Sequence, residues 1–385
     1  MNDKKTSLII FVASVLAGVL FTYLSADSDI PQTAPVTKAD QKWRIGYYEG
    51  GYYEDYEGGL RALVDGLAEL EWIEPLEIPA FDKDTRLIWE YLAQNVTSPY
   101  IEFVADAYWS AGWDETVRRQ NRRAAMQRLT TVGGIDVMIA MGTWAGQDLA
   151  NDEHTVPTMV LTSSGPVQAG IIASVEDSGR DHIVAECDPQ RYLRQIRLFH
   201  DIVGFERLGV VHDNTADGKV YANLADLQTV AAERDFEVIE CYARDVGVEE
   251  RIYRQELITC YQELAPQIDA LWIGAHQGED PAFMPEILAP LFAHDVATWA
   301  QAGLPAVKRG ALLSITQQDY AAAGHWYAQT LAKILNGARP RDLNQVFELP
   351  NHVIINQETA RRINFELPAG LVEIADQTFD TIEGE

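Results

Sequence analysis

The feature that most constrains this chain is a pair of short runs that are almost continuously apolar. Ile135 to Met141 stops at Gly142-Thr143, and Thr158 to Leu161 stops at Thr162-Ser163-Ser164. A strand with one solvated face alternates apolar and polar residues, so a run without alternation must be covered on both faces. Trp144 to Asn151, between the two runs, suits a short helix, and the unit predicts parallel strands joined by a crossover. In such sheets ligands collect in the crevice outside the carboxyl ends of the strands, where both of these runs end in small polar turns.

The same alternation recurs along the chain. Trp43 to Tyr48 is a short apolar strand broken by Gly50-Gly51, and Leu60, Leu63, Val64, Leu67 and Leu70 mark one face of a helix. Tyr47, Tyr48, Tyr52, Tyr53 and Tyr56 crowd the connection and predict a binding wall. A helix over Thr85 to Gln94, a strand over Tyr100 to Ala105 and an aromatic loop from Tyr108 to Trp113 come next. Asp114 then caps a helix running to about Thr130, whose Arg118, Arg119, Arg122 and Arg123 predict a solvated face. Asp188 is the expected cap, and Pro189 the first turn, of a helix over Gln190 to Ile202. Three strand and helix pairs follow: Leu208 to His212 with Gly218 to Arg234, Glu237 to Tyr242 with Val248 to Leu264, and Ala270 to Gly274 with Pro281 to His294. Strand Ala311 to Ile315 and helix Gln318 to Leu335 come next, and Gln345 to Pro350 with Val353 to Asn356 read as two closing strands. Eight or more alternations predict an α/β protein of two doubly wound Rossmann-like lobes joined by a hinge.

A chain of 385 residues, 47% hydrophobic, has room for two such domains. Its formal net charge of -28 argues against a nucleic-acid partner, because phosphate neutralisation needs clustered Lys and Arg. No G-x-G-x-x-G follows a strand, and there is no P-loop, H-E-x-x-H or G-x-S-x-G. Eight scattered histidines predict no zinc site, so neither a cofactor nor a metal is expected. Cys187, Cys241 and Cys260 are read as buried packing, with a Cys241–Cys260 disulfide as the alternative. Lys4 and Lys5 precede an almost uncharged run, Ser7 to Ala26, and a polar segment from Asp27 to Lys42. This predicts export, by a cleaved signal peptide or a retained membrane anchor, with the globular part periplasmic or otherwise outside the cytoplasm.

Ala306 to Gly337, AVKRGALLSITQQDYAAAGHWYAQTLAKILNG, resembles the Val-Lys-Arg-Gly-Ala-Leu segment and following helix of the ABC transporter substrate-binding family. That family has the type I periplasmic binding protein fold, and this branch includes binders of tryptophan and other aromatic amino acids. Arg339-Pro340, Ile355-Asn356 with Ala360, Asp136 to Thr143, and Pro166 to Gly170 are similar too, and the likeness runs from about Trp43 to about Leu371, with Glu74 to Ser98 resembling an insertion.

The resemblance implies an extracytoplasmic solute-binding protein of an ABC-type importer. It would be a non-catalytic monomer whose partners are a small-molecule ligand, aromatic or amino-acid-like, and an ABC permease in the membrane. The alternatives are a ligand-sensing ectodomain signalling to a partner protein, or a cleft hydrolase using Asp213 and His276. The family's ligand loops fall on Tyr47 to Gly50, including Glu49, and on Gly142-Thr143 and Thr162-Ser163-Ser164. In the second lobe they fall on Asp213-Asn214, where Asp213 replaces the family's Asn, and on Ala275-His276-Gln277, where the family has Thr-Asp-Asn. The family's usual Asp before Pro is Gly165 here. Trp144 and Trp299, at strand ends, are read as stacking walls. The expected organisation is an N-terminal signal or anchor over 1–26, a linker over 27–42, a first lobe of 43–183 plus 305–336, and a second of 184–304 plus 337–385.

Overall fold

The computed structural model describes residues 32–276, 281–301, 303–316, 320–348 and 352–384. The expected export segment and Gln277 lie outside these residues. Among the described residues no helix is long and apolar enough to cross a membrane.

Two sheets organise the chain. The first has the order β2-β1-β3-β4-β5, built from β1 (Trp43–Glu49), β2 (Ile101–Ser110), β3 (Val137–Met141), β4 (Thr158–Leu161) and β5 (Ile183–Ala185), with every pairing parallel. Both runs are buried at every strand position, as their lack of alternation requires. The register sets Met141 against Leu161, so the turns after β3 and β4 lie side by side, and Gly142 N–H donates to the Leu161 carbonyl at 2.8 Å.

The second sheet has the order β12-β11-β10-β9-β8-β6-β7, from β6 (Arg207–His212), β7 (Glu237–Tyr242), β8 (Ala270–Ile273), β9 (Ala297–Ala300), β10 (Leu313–Thr316), β11 (His352–Asn356) and β12 (Gln377–Phe379). Its pairings are parallel except that of β10 with β11. The helices discussed below are α1 (Glu54–Glu69), α2 (Thr85–Asn95), α3 (Glu115–Gln127), α4 (Thr143–Leu149), α5 (Arg191–Val203), α6 (Ala216–Tyr221), α7 (Leu224–Arg234), α8 (Glu250–Leu264), α9 (Met284–Phe292), α10 (Leu304–Lys308) and α11 (Tyr320–Leu335).

The crossings between lobes differ from those expected. Strand β10, expected in the first lobe, pairs Leu313 with Trp299 and with Ile355, so it belongs to the second sheet. The chain returns only with α11, whose Tyr327, Leu331 and Leu335 join Leu60, Leu63 and Leu67 of α1 in one core. This helix pair approaches backbone to backbone. A Cβ added to Gly66 would lie 2.4 Å from the Gly324 carbonyl oxygen, so both positions need glycine. Residues 337–348 also stay with the first lobe, through Arg341–Asp177 at 2.7 Å and the amide of Gln345 on the Val175 carbonyl at 3.1 Å. Of the two expected closing strands, Val353 to Asn356 is β11. Around Val346 there is only a single bridge to Cys187, and the other closing strand is β12.

Other departures have local causes. Strand β2 continues to Ser110 because it stays paired with β1 through Tyr47, Tyr48 and Glu49, which absorbs part of the expected aromatic loop. The helix expected over Gly218 to Arg234 is two helices, α6 and α7, broken at Asn223, whose φ is 56°. Asp114 caps α3 through the N–H groups of Thr116 and Val117, as expected. Asp188 does not cap α5; it accepts from Gln190 N–H and pairs with Arg194 at 2.5 Å. Arg118, expected on a solvated face, is instead largely enclosed, with its guanidinium 4.5 Å from the Trp144 ring and paired with Asp148. Cys241 of β7 and Cys260 of α8 form a disulfide with Cα atoms 5.7 Å apart, because α8 packs back on the strand that precedes it; Cys187 is buried and free.

Candidate functional site

The loops leaving β3, β4 and β5 of the first sheet, and β7, β8 and β9 of the second, line one cavity of about 1020 Å³. A hollow between two mainly parallel sheets at their carboxyl edges is where α/β proteins of this architecture hold small ligands.

The first-lobe wall is built on the turn after β4. Thr162 takes a φ of 52°, which turns its N–H onto the Glu186 carboxylate at 2.9 Å. Ser164 N–H is fixed by the Thr143 hydroxyl at 3.2 Å. These bonds leave Thr162 Oγ1 and Ser163 Oγ buried without a partner among the described groups. An unsatisfied buried hydroxyl costs about 1–3 kcal/mol, so a pair of them in a cavity wall marks a place where a ligand or water completes the bonding.

The floor carries charge. Glu186, just beyond β5, also accepts from Tyr327 O–H at 2.8 Å. Burial pushes its carboxyl above the usual carboxylate range, while the Thr162 N–H, the Tyr327 O–H and Arg191 act in the opposite direction. Asp55 accepts from Tyr320 O–H at 3.0 Å. Arg191, at the start of α5, lies over the Tyr192 ring at 5.3 Å and feels both Asp55 and Glu186.

On the second-lobe side Gln301 donates to Tyr192 O–H at 2.9 Å and leaves its own Oε1 buried without a partner among the described groups. His276 packs edge-on to Tyr253 with ring centroids 6.3 Å apart, and one ring nitrogen lies 3.4 Å from the Ala243 carbonyl. Asp226 also lines the cavity, its carboxyl pushed up to about 6 by burial.

Two features join the lobes. Cys187 N–H donates to the Gln345 carbonyl at 2.9 Å and Phe347 N–H to the Cys187 carbonyl at 3.1 Å, so two connecting segments run side by side as a short parallel ladder. At the cleft edge the Gln147 amide donates to Asp217 at 2.9 Å, with Arg118 3.9 Å from the same carboxylate.

Of the residues singled out from sequence, Thr143, Thr162, Ser163, Ser164 and His276 come together in the cavity wall. Four others are enclosed elsewhere. Tyr47 is fully buried, stacks on Tyr108 at 5.5 Å and donates to Glu49, which also receives Thr85 and Tyr108; this closed network turns both Tyr47 and Glu49 away from the cavity. Trp144 is closed off between Trp113 and Arg118. Trp299 is fully buried, parallel to Trp272 at 6.2 Å, with its indole N–H on Gln195. Asp213 and Asn214 line a separate groove of about 480 Å³ beside Tyr242 and Arg244, so Asp213 does not meet His276 in the cleft. Gln277 lies outside the described residues.

Glu186, Arg191, Tyr192, Gln301, Tyr320 and Tyr327 were missed as site residues, although all line the cavity. Glu186 had a visible signal, a carboxylate directly after the apolar run Ile183 to Ala185. Tyr320 and Tyr327 had none, because helical spacing made them core candidates.

The architecture is a two-lobed α/β fold of the type I periplasmic binding protein class. The chain belongs to the ABC transporter substrate binding protein family, whose model matches residues 112–379, more than half of it. It is similar to a conserved domain protein from Vibrio cholerae, at 18% identity and a TM-score of 0.66, covering 88% of this chain and all of that one. A domain from Streptococcus pneumonia in complex with L-Trp gives 16% identity and 0.64 with the same coverages. A ligand-free, open substrate binding protein from Clostridium difficile gives 18% and 0.57, again covering 88% of this chain and all of that one. No curated protein sequence matches the chain.

Proposed function

We propose that this protein is the extracytoplasmic solute-binding component of an ABC-type importer, and that it takes a small organic ligand into the cleft between its lobes. The observation that carries this reading is the cavity lined from both sheets, with buried polar atoms from each side that have no partner among the described groups: Thr162 Oγ1 and Ser163 Oγ in one wall, Gln301 Oε1 in the other. A ligand bonded to both walls stabilises the closed arrangement over any open one, and that difference is what a permease would read. The Cys241–Cys260 disulfide supports an oxidising compartment outside the cytoplasm, which agrees with the export signal expected at Lys4 to Ala26.

The test is a thermal-shift screen of the purified protein against amino acids, amines, organic acids, nucleosides and sugars. A ligand at 100 times its Kd adds roughly 2.7 kcal/mol of stability, a shift such a screen resolves. Loss of the shift in Ser163→Ala and Gln301→Ala places the ligand in the cleft. Full retention of it in both variants removes the cleft from the reading.

A further inference from the structure

The cavity is larger than a single amino acid needs. At about 1020 Å³ it stands at the top of the range, roughly 300 to 1,000 Å³, that holds drug-sized ligands. The space is not the gape of parted lobes. Gln147 already reaches Asp217 across the mouth at 2.9 Å, Arg118 lies 3.9 Å from the same carboxylate, and the ladder through Cys187, Gln345 and Phe347 joins the two connecting segments. With the lobes in contact, a lone amino acid would leave most of the hollow to water, and water is a poor neighbour for a wall of aromatic rings.

That wall comes in two groups, one on each lobe. In the first lobe Tyr53 and Tyr56 have ring centroids 5.3 Å apart, and Trp113 stands 6.3 Å from Tyr56. In the second, Tyr253 stands edge-on to His276 at 6.3 Å, and Phe283 packs on the Arg254 guanidinium at 3.4 Å. Tyr53, Tyr56, Trp113, Tyr253 and Phe283 all line the cavity. The polar atoms that have no partner among the described groups, Thr162 Oγ1, Ser163 Oγ and Gln301 Oε1, line it as well. The two hydroxyls donate or accept, whereas the amide oxygen only accepts. An uncharged group carrying both an N–H and a C=O can satisfy all three, and a purely apolar centre would leave them unbonded.

From this arrangement, and resting on the reading of the cleft as a solute site, we infer that the ligand is a two-armed molecule about the size of an aromatic dipeptide. Its hydrogen-bonding centre meets Thr162, Ser163 and Gln301. One flat apolar or aromatic arm lies against Tyr53, Tyr56 and Trp113 of the first lobe, and the other against Tyr253 and Phe283 of the second. Because the arms end on different lobes, only the complete molecule covers both aromatic groups. A one-armed molecule covers one group and leaves the other wet.

Three neutral diketopiperazines keep one amide centre and differ in their arms: cyclo(Gly–Gly), cyclo(Gly–Tyr) and cyclo(Tyr–Tyr), with none, one and two phenol rings. Isothermal titration of the full protein is expected to show affinity rising in that order, each ring adding about tenfold. Tyr53 and Tyr253 are both partly open to solvent, so their truncation spares the cores. Tyr53→Ala and Tyr253→Ala should each weaken cyclo(Tyr–Tyr) by about fivefold or more, and the two losses should multiply in the double variant. If any compound with fewer than two apolar arms binds as tightly as cyclo(Tyr–Tyr), or if neither variant changes its affinity, the two-armed assignment is overturned while the cleft reading stands. If neither these probes nor any compound of the wider screen binds, the solute-binding reading falls and takes the assignment with it.

Discussion

Asp217 of α6 and Gln147 of α4 meet across the mouth of the cleft, the amide donating to the carboxylate at 2.9 Å, and this bond ties the two lobes together without a ligand. Arg118, held by Asp148 on the same side, adds a weaker attraction at 3.9 Å. Asp217→Ala should therefore shift the ligand-free protein toward an open form. The expected loss is about 1 kcal/mol of closure, which appears as roughly fivefold weaker ligand binding and a larger radius of gyration by X-ray scattering. An unchanged radius and an unchanged Kd would show that the contact holds nothing closed.

The disulfide constrains the segment that brings Asp245, Glu250 and Tyr253 to the cleft. Closing a loop of this length removes about 3 kcal/mol of unfolded-state freedom. Cys241→Ser with Cys260→Ser should cost stability of that order, and dithiothreitol should lower the midpoint of the parent protein but not of the double variant, as followed by denaturant unfolding.

Asp226 gives a pH signature of definite sign. Its folded carboxyl is raised to about 6, above the unfolded value near 3.8, so the folded state prefers it protonated. The group is benign below pH 3.8 and becomes destabilising as pH rises through 6. Asp226→Asn should stabilise the protein at pH 7.5, by on the order of 1–2 kcal/mol after solvent screening, and have little effect at pH 4. Equal stabilisation at both pH values would contradict this.

His154 and His182 act in the opposite direction. Both are buried, their rings 4.7 Å apart, and burial holds both below the usual histidine value. The folded state prefers them neutral, so stability present above pH 6.5 is lost as pH falls below it. Urea midpoints measured from pH 7.5 to 5.5 should decline, and the decline should shrink in His154→Gln.

The seam between α1 and α11 tolerates no added atom. Gly324→Ala would put a methyl 2.1 Å from the Ala62 carbonyl oxygen, backbone that cannot yield as a side chain can. A destabilisation of about 1–3 kcal/mol is expected by chemical denaturation. Gly337→Ala meets no atom within 4 Å and serves as the comparison for backbone strain alone, since its φ is 95°.

What could be read from sequence follows from what each pattern encodes. Ile135 to Met141 and Thr158 to Leu161 had to be covered on both faces, so their parallel pairing and the polar turns beyond them were legible. Strand β10 carries the same kind of run, but a run does not say which sheet it joins; that depended on its pairing with Trp299 and Ile355, far apart in sequence. At the site, the Thr162 to Ser164 turn was legible because hydroxyls there follow a buried strand. Tyr47 and Trp299 occupy strand ends as expected, yet the face each side chain takes is set by partners such as Glu49 and Gln195 that no local pattern names. The disulfide was open for the same reason: it depends on how α8 folds back on β7.

Because α11 completes the first core only after the chain has passed through the second sheet, the order of synthesis is not the order in which the lobes can finish. The segment from Trp43 to Ala185 emerges early with an exposed apolar face on α1, and its complement, Ala323 to Leu335, follows more than a hundred residues later. The second sheet assembles most of its strands, β6 to β9, from one contiguous stretch. The first lobe therefore cannot close its core until nearly the whole polypeptide is made, whereas the second can assemble most of its sheet well before that.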